Sequence, residues 1–131
     1  MRNQSENLMP ESSPAVTRPI ELVTENGFSI VRLWEINREA LPSAGSYNFM
    51  VSNPQCLERE ITVEIADKLF LEIELKTRGC VLPGSTYWIC CAERHLSTYL
   101  WESDDYPPGD RLCVDLLNPE DLMSAIRWGT S

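Results

Sequence analysis

Residues 58–76 read EREITVEIADKLFLEIELK, and no other stretch of this chain restricts the fold so tightly. Ile61, Val63 and Ile65 alternate with Thr62 and Glu64. Leu69, Leu71, Ile73 and Leu75 alternate with Phe70, Glu72 and Glu74. A period of two sends successive side chains to opposite faces of an extended chain, so both runs read as half-buried strands. A three-residue loop over residues 66–68 sets Ile65 against Leu69 and Val63 against Leu71, which gathers every apolar residue on one face. A two-residue loop would split the two apolar sets between faces. The polar face of the expected hairpin then carries Glu60, Glu64, Glu72 and Glu74, with Phe70 among them.

The rest of the chain is read around this unit. Residues 86–92 (TYWICCA) and 96–101 (LSTYLW) are apolar on both parities, the pattern of central strands covered on both sides. Leu112, Val114 and Leu116 alternate with Cys113 and Asp115, and residues 20–23, 28–36 and 47–51 read as further strands. An alternative places a helix near 31–41, with Leu33, Trp34, Asn37 and Leu41 on one face. The period changes at the C-terminus. Asn118 is a favoured N-cap, Pro119 fits the first helical position, and Glu120 and Asp121 suit the first turn. Leu122, Ala125 and Ile126 follow at helical spacing, and the helix is expected to bury Leu122 and Ile126.

Seven or eight short strands and one short helix predict a mainly β domain, an antiparallel sandwich or partly open barrel. The alternative is an α+β domain. The run Leu82-Pro83-Gly84-Ser85-Thr86-Tyr87 resembles the turn before the sixth strand of fibronectin type III-like sandwiches. The resemblance implies a sandwich and says nothing of function. Residues 1–18, rich in Ser, Asn, Glu and Pro without apolar period, read as a disordered tail ahead of a single domain over 19–131.

Charge narrows the function. Twenty acidic against eleven basic residues leave a net charge of −9, which repels phosphate backbones and anionic lipid and argues against nucleic-acid and membrane partners. No charged-then-apolar leader and no apolar run near ~20 residues is found. The five cysteines, Cys56, Cys80, Cys90, Cys91 and Cys113, are odd in number and irregular in spacing, which with the missing leader fits free thiols in a cytoplasmic setting.

Catalytic motifs are sparse. The six glycines are too dispersed for a phosphate cradle, and there is no G-x-S-x-G elbow. His95 is the only histidine, with Cys91 four residues before it. The pair reads either as a thiol beside an imidazole or as an idle turn histidine near a core cysteine. Adjacent Cys90 and Cys91 on a strand would point to opposite faces, and no C-x-x-C is present, so no metal and no cofactor are expected. The stretch Trp101, Asp104, Asp105 and Tyr106 sets aromatic area beside acids, as contact surfaces do. The reading that follows is a non-catalytic protein-binding module, an adaptor or regulator. Glu60, Glu64, Phe70, Glu72, Glu74, Trp101, Asp104, Asp105 and Tyr106 are its candidate contacts for a basic protein partner. The alternatives are a small-ligand binder with Trp88, Tyr99 and Trp101 around a cavity, and a cysteine-dependent enzyme or thiol-redox protein.

Overall fold

The computed structural model describes residues 20–130, so the N-terminal tail expected over 1–18 lies outside the described residues. Five strands form one sheet: β1 (Glu21–Val23), β2 (Ser29–Arg32), β3 (Ser46–Ser52), β4 (Glu58–Ile65) and β5 (Arg111–Val114). Four helices accompany them: a single turn α1 (Leu33–Ile36), α2 (Asp67–Lys76), α3 (Thr86–Ser103) and α4 (Pro119–Thr130). The strands lie in the order β1-β2-β3-β4-β5. The first four form an antiparallel meander. The chain then passes through α2 and α3 and returns as β5, parallel to β4.

This α+β architecture replaces the expected β-sandwich or barrel, and two helices account for the difference. The run Leu69, Leu71, Ile73, Leu75 belongs to α2, not to a hairpin strand. Only Leu69 and Ile73 are buried; Leu71 and Leu75 are 59% and 70% exposed. Any series at i, i+2, i+4 contains an i, i+4 pair, which is also one face of a helix. Residue type separates the cases. Ile61, Val63 and Ile65 are β-branched and stay extended in β4, whereas Leu, Lys and Glu dominate 68–76 and favour helix. Residues 86–103 form one 18-residue helix rather than two strands and a turn. Its buried residues Tyr87, Trp88, Cys91, Ala92, Leu96 and Leu100 recur at helical spacing and make one broad stripe. The fibronectin-like turn therefore leads into a helix. Residues 28–36 are strand only to Arg32, where α1 begins.

The strand register places Ile30, Val51, Phe49, Tyr47, Ile61, Val63 and Ile65 on one face of the sheet. That face is buried with Leu69, Ile73, Val81, Trp88, Cys91, Leu96 and Leu100 in a single core. The opposite face carries Val31, Met50, Glu60, Asn48, Thr62 and Glu64, all half-buried or exposed. One face packed on helices and one turned to solvent is the usual economy of an antiparallel sheet.

α4 begins as the sequence predicts. The Asn118 Oδ1 accepts the Asp121 backbone N–H at 2.8 Å, and the Asp121 Oδ2 accepts the Asn118 N–H at 3.0 Å, a reciprocal capping box. The buried face differs from expectation. Asp121 and Ala125 are fully buried, Leu122 is half-buried, and Ile126 is 46% exposed.

Candidate functional site

Helix α3 carries Cys91 and His95 one turn apart, and α4 presents Asp121 to both. The Asp121 side chain is wholly buried, yet every lone-pair direction in use has a donor. Arg94 donates to Oδ1 from Nη2 at 2.5 Å and from Nε at 3.2 Å. Oδ2 lies 2.7 Å from His95 Nε2 and takes the Asn118 N–H. Tyr87 closes the other side, donating its hydroxyl to the Asp121 carbonyl at 2.7 Å. Burial by itself pushes the Asp121 carboxyl up; the hydrogen bonds from His95, Arg94 and Asn118 more than reverse this and hold it down at about 2. Cys91 goes the other way. Burial, reinforced by the neighbouring Asp121 charge, pushes its thiol up to about 12. At neutral pH Cys91 is a protonated thiol, which is the wrong form for a nucleophile. The ligand atoms of Cys91, His95 and Asp121 all lie within 4.8 Å of one another, a donor set able to hold a metal ion.

The residues expected to form one acidic contact face are dispersed. Glu60 and Glu64 lie on the open face of the sheet, with Glu64 bonded to Arg111 at 2.6 Å. Glu72 and Glu74 sit on α2, so the hairpin face that was to unite all four does not exist. Phe70, also on α2, packs on Trp88 with ring centroids 4.5 Å apart. Tyr106 is buried as a post beneath the loop. Its hydroxyl donates to the Leu57 carbonyl, Phe28 meets its ring edge-on at 5.9 Å, and the Arg59 guanidinium lies 5.1 Å from its centroid. Asp104 ends α3 in the left-handed conformation, φ 55°, and accepts the Asn26 side-chain amide at 3.0 Å. Asp105 accepts the Tyr106 N–H at 2.7 Å. Trp101 alone of the two aromatics in this stretch faces outward, 51% exposed.

Trp101 stands beside a feature the sequence did not reveal. Among the described residues β1 lies at one edge of the sheet and β5 at the other, and all three residues of β1 are exposed. Leu22 and Val23, with Thr24 and Glu25, form one wall of a groove of about 290 Å³; Ser97, Thr98 and Trp101 on α3 form the other. Glu102, next to Trp101 in sequence, adds to the negative charge of Glu25. The signal available in the sequence was Ile20, Leu22 and Val23 around Glu21, but only strand order shows that they lie by a sheet edge. A second hollow of about 340 Å³ lies on the open sheet face among Glu21, Val31, Ile36, Met50 and Glu58.

No helix among the described residues is long and apolar enough to cross a membrane, and all five cysteines are free. Compared with known protein families, with curated proteins and with solved structures, the chain matches none.

Proposed function

We propose that this chain is a non-catalytic protein-binding module that takes an extended, basic segment of a partner along β1 and into the groove beside Trp101. One observation carries the reading: among the described residues β1 is an edge strand whose Leu22 and Val23 are exposed and flanked by a half-exposed tryptophan. An outer strand offers backbone N–H and C=O groups to a further strand, and natural sheets ordinarily shield such edges with lysine, bulges or a covering element. Here Ile20 and Val23 are each 60% exposed, and a groove for alternate side chains runs alongside. Strand addition draws affinity from main-chain hydrogen bonds and specificity from such a groove. Tryptophan is enriched, with tyrosine and arginine, among the residues that carry most of the energy of protein contacts. Glu25 and Glu102, on a chain of net charge −9, set the sign of the partner.

The small-ligand alternative grouped Trp88, Tyr99 and Trp101; Trp88 is buried in the core against Phe70 and Tyr87, whereas Trp101 is half exposed at the groove. The direct test is fluorescence anisotropy with a short labelled peptide alternating lysine and valine. Binding is expected to weaken with added salt and on Trp101→Ala, while the matched glutamate–valine peptide stays free. If the lysine–valine peptide also stays free, the edge is not a peptide site.

A further inference from the structure

We infer that Cys91, His95 and Asp121 form a binding site for a divalent ion of zinc-like character, closing α3 onto α4. The expectation against a metal rested on strand geometry, in which neighbouring cysteines diverge. That geometry is gone. On a helix, residues at i and i+4 lie on one face, and Cys91 and His95 occupy those positions in α3. Asp121 enters from the first turn of α4, and one ligand atom from each residue falls within 4.8 Å of the others.

The chemistry suits one class of ion. A thiolate and an imidazole favour zinc over the hard cations, which seek oxygen-rich shells. Three protein ligands leave a fourth tetrahedral position for water. Its route is on the His95 side, where the side chain keeps 20% of its surface exposed while Cys91 and Asp121 are wholly buried. Around a tetrahedral ion with bonds of ~2.0–2.3 Å, ligand atoms sit roughly 3.3–3.6 Å apart. The 2.7 Å separation of His95 Nε2 and Asp121 Oδ2 must therefore open by under about 1 Å, the ion taking the place of the proton they share.

Arg94 does not compete for the same atom. It bonds Oδ1, and the Asn118 N–H orients the carboxylate from the backbone, the arrangement of outer partners that aims a ligating carboxylate. The charges balance to a single excess positive: the ion's two and one from Arg94, against one each from the Cys91 thiolate and Asp121. Binding releases the Cys91 proton to solvent.

Cobalt(II) titration tests the site in the whole chain after Cys56, Cys80 and Cys113, the exposed thiols, are alkylated in the native state. One equivalent of cobalt is expected to give a thiolate-to-metal charge-transfer band and tetrahedral visible bands, displaced by one equivalent of zinc. The bands are expected to vanish in Cys91→Ser and to persist in Cys90→Ser. Absence of a band in the alkylated chain, or its persistence in Cys91→Ser, overturns the site. If Cys91→Ser does not fold, His95→Gln decides in its place: an unchanged cobalt spectrum and affinity overturn the assignment, and loss of affinity by tenfold or more upholds it.

Discussion

The two ends of helix α3 meet opposite fates. Around Cys91 and His95 the helix is roofed by α4, and a charged group, Asp121, is fully buried with each partner in place. Around Ser97, Thr98 and Trp101 the helix borders β1, an edge strand among the described residues, and apolar surface stands open. A buried carboxylate persists only when every hydrogen-bonding direction is met, so the first end reads as a lock between secondary elements. Exposed apolar surface along a strand edge is a liability in an isolated domain, and the second end is where the proposed partner would dock. Polarity alone would have reversed these assignments, with the charged cluster taken for the surface and the tryptophan for the core.

The largest expected effect lies at the lock. Asp121→Ala removes the acceptor of Arg94 and His95 together with half of the α4 capping box. Breaking a buried pair by deleting one partner costs about 3–5 kcal/mol. Urea unfolding should show this as a lowered midpoint. A loss below about 1 kcal/mol would mean that the cluster is ornamental and the contrast between the two ends of α3 fails.

A second comparison is available on α2, where residues of one sequence pattern divide into buried and exposed. Ile73 is fully buried, and Ile73→Ala should cost about 2–4 kcal/mol. Leu71 is 59% exposed, and Leu71→Ala should fall within about 0.5 kcal/mol of the parent. Had these residues formed a strand with one apolar face, the two losses would be equal. Equal losses in denaturant unfolding would restore the hairpin.

Acid should weaken the lock specifically. Asp121 titrates at about 2 in the folded chain and near 3.9 when unfolded. A carboxyl held low contributes stability that is fully present above the unfolded value and disappears as pH falls through the folded one. The shift corresponds to roughly 2–3 kcal/mol, lost between about pH 5 and pH 2. Chelator-treated protein should show this loss in urea midpoints across that range, and Asp121→Asn, which cannot ionise, should show a flatter profile. Parallel profiles would place the acid sensitivity elsewhere.

What could be read from the chain follows from the range of each interaction. The start of α4 was legible because Asn118, Pro119 and Asp121 act on one another within a turn. The lock was not, because Asp121 meets Arg94 and His95 across 27 and 26 residues, and no local pattern announces such a pair. β4 was legible from Ile61, Val63 and Ile65, whose branched side chains and period agree. In α2 period and residue type disagreed, and type was the better guide. For α3, apolar residues on both parities suit a doubly covered strand and a broad helical face equally. An unbroken run of 18 residues suits only the helix. The acidic surface was visible as a total charge, but its division between sheet face and α2 depended on that helix.

The smallest expected change in stability is also the most informative about function. Trp101 leaves half of its surface in solvent, and it lies outside the buried core. Trp101→Ala therefore removes little packing, and unfolding should shift by no more than about 0.5 kcal/mol. Its effect on binding is of another size. A tryptophan at the centre of a contact patch commonly contributes 2 kcal/mol or more, about thirtyfold in affinity, expressed chiefly in dissociation. Replacing Glu25 and Glu102 with Gln should instead slow association and reduce its salt dependence, because rim charges steer encounter rather than hold the complex. Stopped-flow mixing with the lysine–valine peptide separates the two rates. A Trp101 variant that loses stability but not affinity would make this end of α3 a second lock. The asymmetry between the sealed and open ends of the helix would then be one of exposure alone.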